Sequence, residues 1–116
     1  MEEQLQELRS VQDLADALDE STERPVLLFK HSLTCPISTM AFREFKSHLA
    51  HADSRISYKL ITVQTARAVS NEAASRLRLA HESPQAILIR NGQGVWNASH
   101  SQITAAALDQ AVRNVD

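Results

Sequence analysis

Val26-Leu27-Leu28-Phe29, then Lys30-His31-Ser32-Leu33-Thr34, then Cys35-Pro36-Ile37-Ser38: an apolar run, a polar loop and a lone cysteine directly before a proline. Four consecutive apolar residues bounded by Pro25 and Lys30 form the pattern of a short strand buried on both faces. From Pro36 onward, Ile37, Ala41, Phe45 and Leu49 recur at helical spacing, while Arg43, Glu44, Lys46 and Ser47 fall on the other face. Proline is favoured at the first helical position because its missing N–H would go unpaired there in any case, so Pro36 makes Cys35 the N-cap. The stretch therefore predicts a central strand, a loop, and a helix with the cysteine at its entrance.

Upstream, Ser10 precedes Val11-Gln12-Asp13 as an N-cap with an acidic third position, and Leu14, Ala17 and Leu18 give a helical stripe to about Glu20. Leu5 to Leu8 can add a short edge strand. Downstream, Ile56 to Val63 reads as a second core strand, rich in β-branched residues and alternating at Tyr58, Leu60 and Thr62. Ser70 is expected to cap a helix through about Ala80, with Ala73, Ala74 and Leu77 inward. Ala86-Ile87-Leu88-Ile89 is a third strand, and Asn91-Gly92-Gln93-Gly94 turns it back into Val95-Trp96 as an antiparallel hairpin, with Trp96 in its core. Thr104 caps a last helix, flanked by an Ile103 and Leu108 staple, and Ala111, Val112 and Val115 continue its apolar face.

Strands separated by helices must run parallel or cross over, whereas the late hairpin is antiparallel. The expected fold is α/β: one thioredoxin-like domain over residues 1–116, with a central mixed sheet of four to five strands flanked by helices. A fold of this kind hosts many chemistries, so function must be read from the site.

Composition narrows the classes. At 116 residues the chain can bury one core. Twelve Lys and Arg stand interspersed among 14 Asp and Glu, which leaves no basic face for nucleic acid. The longest apolar run is far short of the roughly 20 residues that cross a bilayer, and no charged, apolar leader precedes it, so neither a membrane partner nor secretion is expected. The single cysteine excludes an intramolecular disulfide and fits a reducing compartment, hence a cytoplasmic protein. The Asn97-Ala98-Ser99 triplet matches a glycosylation acceptor but carries no weight without a secretory signal.

An N-cap side chain faces the free amides of the first turn, here those of Ile37 and Ser38, and the positive end of the helix macrodipole. Both favour a thiolate, and cysteines so placed commonly titrate at about 3.5–7.5 rather than about 8.5. Most free cysteines are instead buried small hydrophobes. Cys35 lies outside the apolar strand, at the carboxyl end of a parallel strand, where ligand crevices form in such sheets. Ser38 occupies the second position of a Cys-x-x-Cys pair, giving Cys-x-x-Ser, and nothing local can resolve a mixed disulfide; the plainer reading of Ser38 is a first-turn helix residue. Lys30 and His31 either add positive charge beside the thiolate or are ordinary polar loop residues.

Other cysteine chemistries fit less well. A cysteine phosphatase loop places an arginine roughly six residues after the cysteine to hold phosphate bidentately. Ala41 stands there, and the nearest arginine is Arg43. A cysteine hydrolase needs a histidine base and an oxyanion hole, and His31 comes with no such signature. His31 with Cys35, or His48 with His51, could pair on a metal, yet structural zinc usually takes four protein ligands and the chain has one thiolate. No metal is expected, and the helix histidines read as solvated. His100 reads as a loop residue.

Lys30-His31-Ser32 with Thr34-Cys35-Pro36-Ile37-Ser38, His81-Glu82-Ser83-Pro84-Gln85 and Trp96-Asn97-Ala98-Ser99-His100 resemble the monothiol bacilliredoxins, thioredoxin-like proteins of the bacillithiol system of some bacteria. The resemblance covers essentially the whole chain, and Thr-Cys-Pro-Ile-Ser is its most specific part. It implies a thiol-disulfide oxidoreductase in which Cys35 attacks a protein–bacillithiol mixed disulfide, takes the bacillithiol and frees the protein thiol. Bacillithiol is then a co-substrate, no cofactor is bound, and bacillithiolated proteins are the partners. It also implies that Pro84 is cis and sets the backbone of Ser83 beside Cys35 to pair with a substrate segment, with Thr34, Pro36, Ile37 and Ser38 as neighbours of the sulfur. The missing second cysteine motivates the alternative, a non-enzymatic binding or sensing module whose Cys35 is only capped under oxidative stress.

Overall fold

The computed structural model describes residues 4–115. Its elements follow the order β1 (Leu5–Glu7), α1 (Val11–Glu20), β2 (Val26–His31), α2 (Pro36–Leu49), β3 (Ser57–Thr62), α3 (Arg67–Leu77), β4 (Gln85–Arg90), β5 (Gln93–Ser99) and α4 (Ala105–Asn114), with one 3₁₀ turn, His100–Gln102, before α4. The five strands form one mixed sheet in the order β1-β3-β2-β4-β5. β3 pairs in parallel with both β1 and β2, whereas β4 runs antiparallel to β2 and to β5. This is the expected topology, with the edge strand present.

Local chemistry explains the boundaries. Ser10 Oγ accepts the Asp13 N–H at 3.0 Å, and the Asp13 carboxylate accepts the Arg9 N–H, so α1 begins where its cap requires. Asn91 and Gly92 lie at φ 56° and 73°, the pair of left-handed residues that a two-residue type I′ hairpin needs between β4 and β5. Thr104 Oγ1 accepts the Ala107 N–H at the start of α4.

Alternation along the central strand divides the core. Leu27 and Phe29 face α2 and α4, packing with Phe45, Leu49, Ile103 and Leu108; Val26 and Leu28 face α1 and α3, packing with Leu14, Leu18, Val69 and Ala73. All six β2 residues are buried. Truncating a fully buried aromatic at this centre, such as Phe45→Ala, costs about 3–5 kcal/mol.

Three expectations need correction. β2 runs through Lys30 and His31, which are buried strand residues and not part of the loop. α3 begins at Arg67 with Ala66 as N-cap, so Ser70 caps nothing; it is buried inside the helix, with Oγ 3.2 Å from His81 Nδ1 in the loop before β4. His48 is not solvated: it is 2% exposed and joins α2 to β3 and α4. Its Nδ1 donates to Asp109 Oδ1 at 2.5 Å, and its Nε2 lies 2.9 Å from the Tyr58 hydroxyl, whose oxygen accepts the Asp53 N–H. His51 remains exposed.

Candidate functional site

The antiparallel register sets Lys30 of β2 opposite Gln85 of β4, so the carboxyl end of β2 and the amino end of β4 meet at one edge of the molecule. Cys35 follows β2 and Pro84 precedes β4, which brings both motifs to that edge, the position at which open α/β sheets form their crevices. The Ser83–Pro84 bond is cis. Ser83 takes part in no backbone–backbone hydrogen bond among the described residues, and its buried Oγ has no partner.

Cys35 is the N-cap of the 14-residue α2, with extended backbone (φ −105°, ψ 118°) and Pro36 at the first helical position. Its side chain is partly exposed. The sulfur accepts no capping hydrogen bond, contrary to the expectation that the amides of Ile37 and Ser38 would engage it. What remains for the sulfur is the field of the helix end, where unpaired N–H groups concentrate positive potential. Thr34, Pro36 and Ile37 are exposed around it, and Leu33, Ile37 and Met40 present apolar side chains to solvent.

Ser38 Oγ is bonded to the end of β2 and the start of the cysteine loop. The residue is fully buried, and its Oγ accepts the Ser32 N–H at 2.9 Å and lies 2.8 Å from His31 Nδ1. The oxygen thus holds the Ser32 amide and the His31 imidazole together, one hydroxyl serving both. Burial pushes the His31 pKa down, and the charge of Lys46 adds to the effect. His31 stacks on Phe42 with ring centroids 4.5 Å apart; Phe42 stacks on Phe29, and Phe29 on Phe45. All three phenylalanines of the chain thus support the floor of the cysteine loop.

Neither Lys30 nor His31 therefore places positive charge beside the thiolate. His31 is neutral, and Lys30 points to the opposite face of the sheet, the side of Val26 and Leu28. Charge at the site comes from the helix end, not from these side chains.

Gln64, two residues beyond the end of β3, is a site residue that the sequence reading missed. Its Oε1 accepts the Leu33 N–H at 3.0 Å, and its Nε2 donates to Ser32 Oγ at 2.8 Å and to Thr34 Oγ1 at 3.2 Å. One side chain pins three consecutive residues of the loop that delivers Cys35. Only its place at the carboxyl end of a strand parallel to β2 could have flagged it. Among the described residues there is no group of three or more His, Cys, Asp or Glu suited to a metal, and no helix is long and apolar enough to cross a membrane.

Residues 6–108 match a family model described as monothiol bacilliredoxin BrxC. A solved structure provisionally described as an oxidoreductase with a thioredoxin fold is 32% identical, with a TM-score of 0.83 and 96% of each chain covered. Thioredoxin from Fasciola hepatica superposes with a TM-score of 0.76 at 14% identity, covering 96% of this chain and 99% of that one. Reduced thioredoxin pre-protein from Schistosoma mansoni gives 0.72 at 20% identity, covering 94% and 95%. The last two likenesses bear on the fold alone, and that fold is thioredoxin-like.

Proposed function

Because the chain belongs to the monothiol bacilliredoxin family, with a role in thiol redox chemistry, we propose that Cys35 removes bacillithiol from protein mixed disulfides. The observation that carries this reading is the placement of the only cysteine, partly exposed at the amino end of α2 with no second thiol in the chain.

In the proposed cycle the Cys35 thiolate attacks the bacillithiol sulfur of the mixed disulfide. A bond forms between Cys35 Sγ and that sulfur, the original S–S bond breaks, and the protein leaves as a thiolate. A second reduced thiol then attacks the Cys35–bacillithiol disulfide, returns Cys35 as a thiolate and departs as a new disulfide. The helix end stabilises negative charge on Sγ both before attack and when Cys35 is the leaving group. Ser83 offers a backbone N–H and carbonyl free of internal pairing, suited to strand-like pairing with the substrate segment. Exposed Leu33, Ile37 and Met40 give that segment an apolar surface beside the sulfur. Its setting is proposed to be the bacterial cytoplasm.

A turnover assay tests the reading. With the protein well below the concentration of a bacillithiolated substrate and with reduced bacillithiol present, many equivalents of free substrate thiol should appear per Cys35. Release that stops at one equivalent would mean a capped sensing module instead.

A further inference from the structure

A groove of about 440 Å³ opens between α2 and the His100–Gln102 turn. Along α2 its lining recurs at helical spacing, from Ile37 through Met40 and Ala41 to Glu44, so it follows one face of the helix away from the cysteine end. Ala41 and Ile103 are buried within it, while Ile37 and Met40 are 45% and 64% exposed along its edge. The facing wall, His100 and Ser101, is tied to the cis-proline loop, because the His100 N–H donates to the Pro84 carbonyl at 3.1 Å. The groove thus adjoins both motifs of the candidate site.

Its charges are not equally free. Glu44 Oε1 accepts the Ala105 N–H at 2.8 Å, at the start of α4, and His100 Nε2 faces Glu82 Oε1 at 3.8 Å. Arg43 lines the groove too, is exposed and, among the described residues, makes no ion pair or hydrogen bond. Apolar walls that end on one uncommitted guanidinium complement an apolar side chain followed by a carboxylate. Distances agree. In an extended segment every second side chain shares a face, so residues two and four positions from a modified cysteine lie about 7 and 13 Å from it. Helix rise puts Met40 about 8 Å and Arg43 about 12 Å along α2 from Cys35.

We propose that this groove selects the protein side of the mixed disulfide. It takes cysteines in extended segments with an apolar residue two positions away and an acidic one four positions away, and Arg43 determines the acidic preference. The occupant is the protein segment and not bacillithiol, whose hydroxyl-rich sugar would find few hydrogen-bond partners on apolar walls. The inference rests on the exchange reading of Cys35.

Two bacillithiolated peptides test this on the full chain. Both carry the modified cysteine at the centre and leucine two positions to either side; four positions to either side, one has glutamate and the other lysine. The kcat/KM should favour the glutamate peptide by up to about fivefold, the worth of an exposed ion pair, and Arg43→Glu should reverse the preference. An Arg43→Glu variant that slows both peptides equally would put bacillithiol in the groove, and one that changes neither would leave the groove unused; either result overturns the inference. In ¹⁵N-labelled Cys35→Ser protein, which binds the mixed disulfide without reacting, the glutamate peptide should shift the amides of Met40, Arg43 and Ser101, and Arg43→Glu should weaken that binding. Such shifts, with wild-type protein that exchanges neither peptide, would uphold the groove and overturn the exchange reading. Exchange without them would uphold the exchange reading and overturn the groove.

Discussion

Ser38 Oγ lies 2.8 Å from His31 Nδ1, joining the first turn of α2 to the end of β2 immediately beneath the cysteine loop. The same oxygen accepts the Ser32 N–H. The position that holds the second cysteine in a dithiol motif is thus occupied by a clip that fixes the approach to Cys35.

Removing that hydroxyl leaves two buried polar groups unpaired. Ser38→Ala should destabilise the protein by about 1–3 kcal/mol, the cost of unsatisfied buried donors and acceptors, measured as a lowered urea midpoint. A midpoint unchanged from wild type would mean that the clip has no energetic role.

Acid should weaken the fold through His31. Its folded pKa is depressed below the ordinary 6.5, so the unfolded chain binds more protons in the window below that value. The associated stability is complete above pH 6.5 and falls as pH drops through the lower folded value. His81 adds to the trend with the same sign, its pKa also being lowered mainly by burial. The urea midpoint should decline below about pH 6.5 and should decline less steeply in His31→Asn. Equal slopes in the two proteins would contradict the buried neutral imidazole.

Gln64 gives the opposite division between stability and activity. It is exposed, yet it holds Ser32, Leu33 and Thr34. Gln64→Ala should cost less than about 1 kcal/mol in stability but slow exchange at Cys35 by about tenfold, because the sulfur would no longer be held in its attacking position. An unaltered rate would show that the loop needs no clamp.

Cys35→Ser separates the reactive role of the cysteine from a packing role. The sulfur makes no capping bond, and serine is a favoured N-cap, so stability should be unchanged or higher by up to about 1 kcal/mol while exchange is abolished. Clear destabilisation on chemical denaturation would place Cys35 among ordinary buried cysteines.

Much of this architecture is legible in the sequence because its signals are local. The Ser10 and Thr104 caps, the proline after Cys35, the Asn91-Gly92 turn and the apolar runs of β2 and β4 each state their conformation within a few residues. The misreadings share one cause, tertiary contact. Lys30 and His31 look like loop residues until pairing with Gln85 and Ile61 extends the strand. Ser70 looks like a cap until His81 is brought against it, and His48 looks solvated until Asp109, 61 positions away, reaches it. Within the site, Cys35 and Pro84 announce themselves through proline, whereas Gln64 acts through bonds across about 30 residues of sequence and carries no local mark.

The most direct test of the central claim is intact mass after mixing the protein, and separately its Cys35→Ser variant, with a bacillithiolated protein and with a glutathionylated one. Transfer of the bacillithiol mass to the wild-type chain alone, with matching release of free substrate thiol, is the expected result. No transfer from either substrate would contradict the exchange account, and preferential transfer of glutathione would contradict its assignment to bacillithiol.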